Sequence, residues 1–296
     1  MAETTLLQRT HPRALLRTFG DVVELGKPRI TTMVVFTTAM GMWLAPGSVG
    51  TARALAVLAF TGLLVGSANV LNSFLERDVD ARMRRTRHRP IPSGRIDPWS
   101  AFALGLAAGS FAVPALVMVA NPLTAALGLA AWILYVAVYT PLKRQTPWAL
   151  EIGTLPGALP PLMGWTAVTG SVEAPGLALS AIMVFWQLPH FLSITLYLDD
   201  DYGRGGIRVW PLVRGHRAAR VRLALYTVGL VAASAAAAPL AGLSYAGVAI
   251  VLGGGFLVLA LRGLREDAGA ALARRTMLYS LVYLCVLFGV LVADAR

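Results

Sequence analysis

Nine stretches of this chain run for about 20 residues with almost no charge, and that length limits the available folds more than any other feature. A helix rises about 1.5 Å per residue, so some 20 apolar residues cross a hydrocarbon core of about 30 Å. The stretches lie near residues 30–45, 54–75, 100–119, 122–142, 150–170, 176–197, 222–241, 244–262 and 276–293. Their apolar residues are continuous rather than alternating, which predicts helices and not a barrel, because peptide groups in lipid must be satisfied within their own segment or a closed sheet. With 56% hydrophobic and 14% charged residues, the chain holds more apolar side chains than a soluble core could hide. The expected fold class is therefore all-α, a polytopic membrane bundle of nine transmembrane helices. Glu151 and the pair Pro160-Pro161 make 150–170 the least regular window, read as a broken helix lining a cavity.

The basic residues predict the orientation. Of the 26 Lys and Arg, 24 fall in the amino-terminal segment and in the loops 76–99, 143–144, 198–222 and 262–275. Only Arg53 and Arg296 fall on the other side, an alternation that places the amino terminus in the cytoplasm and the carboxyl terminus outside. The first 29 residues are mixed and polar, and no cleavable leader is expected. Leu15, Phe19, Val22 and Val23 share one face of RALLRTFGDVVELGK, which predicts an interfacial helix on the cytoplasmic surface. The chain thus divides into a cytoplasmic segment, 1–29, and a membrane domain, 30–293. The net charge of +11 sits in loops between apolar runs, so the lipid bilayer, not nucleic acid, is the expected partner. A single cysteine, Cys285, excludes a disulfide framework and a cysteine metal site.

Charge concentrates abruptly at the cytoplasmic end of the second span, in NVLNSFLERDVDARMRRTRHRP, residues 69–90. At about 100° per residue, Asn69, Asn72, Ser73, Glu76 and Asp80 fall within a sector of about 100°, and Asp78 points the opposite way. Hard oxygen donors in such a stripe suit Mg2+, which takes few protein ligands and leaves positions for water and substrate phosphates. A second acidic run, LYLDDDYGRGG, puts Asp199, Asp200 and Asp201 at the cytoplasmic end of the sixth span, four spans later and on the same side. Two acidic clusters followed by arginines read as halves of one diphosphate-metal site, with spans 1–4 and 5–8 as an internal repeat.

These residues resemble the UbiA-type intramembrane prenyltransferase superfamily. N-S-x-x-E-x-x-x-D from Asn72 to Asp80 followed by R-T-x-x-R-P from Arg85 to Pro90 is similar to its first acidic motif, YTPLKRQT from Tyr139 to its basic loop, and Asp200-Asp201-Tyr202 to its second acidic motif. LGKPRI at 25–30, ERDVDARMRRT, GALPPLMGW at 157–165 and WQLPHF at 186–191 with DDYGRGGI resemble the branch that farnesylates protohaem IX. The likeness runs from about residue 25 to the last span. This chain departs from the pattern at Ser73, often aspartate in the superfamily, at Ala149, usually asparagine in the branch, and in IRVWP at 207–211.

The resemblance implies a UbiA-like bundle whose acidic and basic cytoplasmic loops cap a central cavity, in a bacterial inner membrane. It implies farnesyl diphosphate and haem B as substrates and Mg2+ as cofactor. Asn72, Glu76, Asp80, Asp200 and Asp201 would bind metal, while Arg85, Arg89, Lys143 and Arg144 would grip the diphosphate. His190, after Pro189, would project into the cavity toward haem iron or a propionate. A downstream haem-modifying enzyme or terminal oxidase assembly would use the product. The same motifs admit a quinone precursor or another tetrapyrrole as acceptor. A secondary transporter would place its polar groups near the midplane, and a nucleotide-alcohol phosphotransferase needs a D-x-x-D-G-x-x-A-R spacing that DVDARMRR lacks.

Overall fold

The computed structural model describes residues 12–265 and 268–294, and among them every regular element is a helix. Each of the nine apolar windows carries one. Helix α1 (Pro12–Leu25) precedes α2 (Pro28–Leu44), and α3 (Thr51–Leu75) is followed by the short α4 (Arg77–Asp80). Then come α5 (Pro98–Val119) and α6 (Pro122–Ile133), which passes through a π-helical stretch, Leu134–Tyr139, into a last turn, α7 (Thr140–Leu142). The remaining elements are α8 (Ala149–Thr169), α9 (Ala174–Tyr197), the short α10 (Asp199–Gly205), α11 (Trp210–Ala236), α12 (Leu243–Arg262) and α13 (Ala270–Asp294).

By length and composition seven of these are able to cross a membrane: α3, α5, the run Pro122–Leu142, α9, α11, α12 and α13. Helix α2 is shorter, at 17 residues, and α8 carries Glu151 and three prolines. The outward surface suits a bilayer, since Leu243 is 93% exposed, Met118 86%, and Ile250 and Val251 73% each. Such patches would be intolerable in water. On α1, Phe19 and Val23 are exposed as the interfacial reading expects, and Arg95 ties that helix to the loop after α4 through Asp21, Glu24 and the His88 carbonyl.

The two largest apolar cores form around Leu64, Leu116 and Met163 between α3, α5, α6 and α8, and around Ile182, Leu230, Phe256 and Tyr283 between α9, α11, α12 and α13. The pairing repeats: α3 packs on α5 in the first half as α9 packs on α11 in the second, and the leading helices of the halves, α2 and α8, pack on each other. That α2–α8 crossing is backbone on backbone. A Cβ at Gly41 would lie 1.9 Å from the Pro161 carbonyl oxygen, and one at Gly164 2.0 Å from that of Thr38.

Helix α8 is not broken, contrary to the expectation from its prolines. It runs unbroken from Ala149 to Thr169 with Pro156, Pro160 and Pro161 buried inside it. The three prolines leave the Ile152, Pro156 and Gly157 carbonyls without their i+4 donors, and close packing against α2, α6 and α9 holds the helix continuous across them. Pro189 likewise lies within an unbroken α9. The real interruption falls in α11, at Gly215 (φ 84°, ψ 159°), a conformation essentially restricted to glycine.

Candidate functional site

The polar stripe survives a break in its helix. α3 ends at Leu75, Glu76 turns the chain (φ −100°, ψ 3°), and α4 begins one residue later, yet Asn69, Asn72, Ser73, Glu76 and Asp80 are all buried while Asp78 is exposed. Desolvated carboxylates need partners, and each has a cation: Lys143 pairs with Glu76, and Arg89 with Asp80 at 2.8 Å. Asn72 is fully engaged, donating to Glu76 and to Thr140 Oγ1 at 2.9 Å each and accepting from Lys27. The first acidic motif and the basic loop therefore meet in one cluster.

The second acidic motif joins through Asp201. Its Oδ1 accepts the Arg84 backbone N–H at 2.7 Å, bridging α10 to the loop after α4. Its Oδ2 is buried with no hydrogen-bond partner. Asp200, Arg85 and Arg144 are exposed and do not bond to the buried cluster, and of the three Arg85 is close enough to act electrostatically on Tyr139 and Tyr202. Burial raises the Tyr202 pKa above its ordinary value, keeping that phenol protonated beside Asp201. Asp199 turns away and binds His216 Nε2 at 2.8 Å. His190 lies apart from these contacts, in the α9–α13 interface: its Nδ1 is 2.6 Å from Ser280 Oγ, the Met277 backbone is also a hydrogen-bond partner, and its ring stacks on Trp186.

Sequence reasoning missed Lys27. The string LGKPRI carried a resemblance but no role, and the structure sends its ammonium onto Asn72 from a left-handed backbone (φ 50°), the one non-glycine positive φ among the described residues. Such a conformation costs of order 1–3 kcal/mol and persists where the surroundings demand it. Burial, then the charge of Arg89, pushes the Lys27 pKa down to about 7, with Lys143 adding to the fall. Also missed were Thr140 and Tyr135. The π-helical stretch before Thr140 turns that end of the span so that Thr140 meets Asn72 and Tyr135 donates to Asn69 at 3.3 Å.

Among the described residues no three of His, Cys, Asp and Glu form a ready metal cage. The donor set still fits a hard divalent cation. It is all oxygen, the carboxylates of Glu76, Asp80 and Asp201 are desolvated, and Asp201 Oδ2 is a buried acceptor with nothing to accept. Arg89 and Lys143 neutralise Asp80 and Glu76, and an arriving polyanion with its metal would let these cations and carboxylates each exchange one partner for another. That chemistry suits a diphosphate.

Residues 34–282 match the UbiA prenyltransferase family. The chain is similar, at 51% identity over 97% of its length and 98% of the relative's, to the protoheme IX farnesyltransferase of Anaeromyxobacter dehalogenans (strain 2CP-C). Its fold is similar to that of a digeranylgeranylglyceryl phosphate synthase, with a TM-score of 0.79 at 13% identity, covering 94% of this chain and 99% of the other. It is also similar to a UbiA homologue from Archaeoglobus fulgidus bound to GPP and Mg2+, with a TM-score of 0.66 at 15% identity, covering 92% and 99%.

Proposed function

Because the chain belongs to the UbiA prenyltransferase family, we propose that it transfers the farnesyl group of farnesyl diphosphate to a vinyl group of protohaem IX. The observation that carries the diphosphate half of this reading is the convergence of Asn72, Glu76 and Asp80 with Lys27, Arg89 and Lys143, with Asp201 of the second acidic motif bonded to the loop that follows Asp80. The farnesyl donor and haem acceptor rest on the similarity to the farnesyltransferase relative, which extends over nearly the whole chain. A nine-span topology with the amino terminus in the cytoplasm completes the proposal, α2 and α8 spanning as a packed pair beside the seven apolar helices.

Asn72, Glu76, Asp80, Asp200 and Asp201 are the proposed holders of Mg2+, the ion that the UbiA homologue from Archaeoglobus fulgidus binds together with GPP. When bound, the cation would stabilise negative charge on the leaving diphosphate oxygens. Lys143 and Arg89, released from their carboxylates, would donate to those same oxygens, and Lys27 would add a third cation; Arg85 and Arg144 stand at the exposed rim where the diphosphate enters. The allylic C–O bond breaks with its electron pair leaving on diphosphate, and the vinyl π pair forms the new carbon–carbon bond. Water then adds to the remaining cation and loses a proton, giving the hydroxyethylfarnesyl product. The bundle interior shelters the allylic cation until then. On the acceptor side, His190 is the proposed haem contact, its ring fixed by Ser280 and Trp186.

Purified protein incubated with haem B, farnesyl diphosphate and Mg2+ should yield a haem adduct heavier by a farnesyl group and a hydroxyl group, read by mass spectrometry. Failure with haem B but transfer to an aromatic quinone precursor would move the acceptor to the other reading. Removing the ammonium of Lys27 while keeping its stem, in Lys27→Met, should raise KM for farnesyl diphosphate roughly 10- to 100-fold, since a hydrogen bond to a charged group is worth about 1.5–3 kcal/mol. Steady-state kinetics check this, with KM for haem expected to stay put.

A further inference from the structure

The residues that follow Lys143 and those that follow Asp201 meet at a second cluster, where Trp148 packs against Trp210. Arg222 of α11 lies between two indoles, with its guanidinium 3.6 Å from the Trp210 ring centroid and 4.4 Å from that of Trp148, and the two rings meet edge to face at 5.0 Å. Beneath them sits Glu151, on the first turn of α8. It accepts from the Trp210 indole N–H at 3.0 Å and from the Tyr226 hydroxyl at 2.8 Å, and its Oε1 is 3.6 Å from Arg222. Between this cluster and the site, the Arg208 N–H donates to the carbonyl of Lys143 itself at 3.1 Å.

The geometry depends on Gly215. Trp210 and Arg222 are twelve residues apart, which on a straight helix would separate their backbones by about 18 Å. They touch because α11 breaks between them, folding its first turn back over the second part. The clamp's four groups come from the exit of the basic loop (Trp148), the start of α8 (Glu151), the exit of the second acidic loop (Trp210) and α11 (Arg222). None of them contacts the acidic cluster, and none is needed to neutralise it.

We propose that Trp148, Glu151, Trp210 and Arg222 form a clamp that sets the distance between Lys143 and Asp201, making them positioning residues for diphosphate binding. A guanidinium stacked on aromatic faces while bridging to a carboxylate is a rigid, partly desolvated joint, stronger than an exposed ion pair. The inference rests on the diphosphate reading of the neighbouring site. It goes beyond that reading in assigning specificity for one substrate to residues that never touch it.

A double-mutant cycle tests the clamp. Arg222→Met should raise KM for farnesyl diphosphate about tenfold, the scale of lost outer-shell support, and leave KM for haem and the melting temperature in detergent close to wild type. In a Lys143→Met background the same change should have no further effect. Trp210→Phe, which keeps the ring face and loses the donor to Glu151, should give a smaller rise of the same kind, and it stands in for Arg222→Met should that protein not fold. Equal losses in both backgrounds, or parallel rises in both KM values, would overturn the proposal. Calorimetry with inorganic diphosphate and Mg2+ on the same variants separates this from the prenyl-transfer reading. Lost turnover in the wild type would refute that reading, whereas unweakened diphosphate binding by Arg222→Met would refute the clamp.

Discussion

Asp80→Asn should stay folded and lose about 10²–10³-fold in kcat, the range seen when one preorganised electrostatic group is removed from a reacting centre. Asp80 is 3% exposed and holds Arg89 at 2.8 Å, and asparagine keeps an acceptor oxygen for that guanidinium while deleting the charge. Removing the whole side chain would instead leave Arg89 facing an empty, desolvated space, and stability and chemistry would fall together. The asparagine variant separates them. Its melting temperature in detergent should match the wild type, its demand for Mg2+ should rise, and its adduct yield by mass spectrometry should collapse. Turnover within a few fold of wild type would remove Asp80 from the metal-binding set and with it the first acidic motif as the centre of the chemistry.

Gly164→Ala is the largest expected loss of stability. The added carbon would sit 2.0 Å from the Thr38 carbonyl oxygen, inside any contact distance, and the obstacle is backbone, which cannot swing aside as a side chain would. Helices α2 and α8 must separate, opening gaps on both flanks of the crossing, at a cost toward or beyond the upper end of the 1–3 kcal/mol typical of overpacking. Gly254→Ala on α12 is the matched control, because nothing lies within 4 Å of its would-be Cβ. Thermal unfolding in detergent should show Gly164→Ala well below wild type and Gly254→Ala at or above it. Equal curves for the two would mean that the α2–α8 contact is looser than its geometry indicates.

The architecture was legible in the sequence wherever one physical constraint acted locally. Bilayer thickness sets the length of an apolar run, so all nine windows carry helices, and the 3.6-residue period selected Asn69, Asn72, Ser73, Glu76 and Asp80 as a buried face despite the unforeseen break at Glu76. Where the deciding partner is distant in the chain, legibility ended. The prolines of α8 looked like a break because the sequence does not show how closely α2 and the neighbouring helices pack against it and hold it continuous. Thr140 and Tyr135 were hidden by a π-helical stretch that shifts the helical phase, and Lys27 by a left-handed backbone conformation that no periodicity anticipates. The clamp was legible only as fragments, Ala149 beside Trp148 and IRVWP around Trp210, two departures from the family pattern that turn out to be neighbours in space.

The backbone contact between α2 and α8 also bears on how the protein is made. These are the two long helices that fall short of a self-sufficient span, one by length and one by its prolines and Glu151. Synthesis delivers α2 roughly a hundred residues before α8 begins, so the backbone contact between them can close only after α8 has been made. The seam that joins the two halves is therefore among the later contacts of the amino-terminal half to form, since its Gly164 side is made only once synthesis has passed that residue.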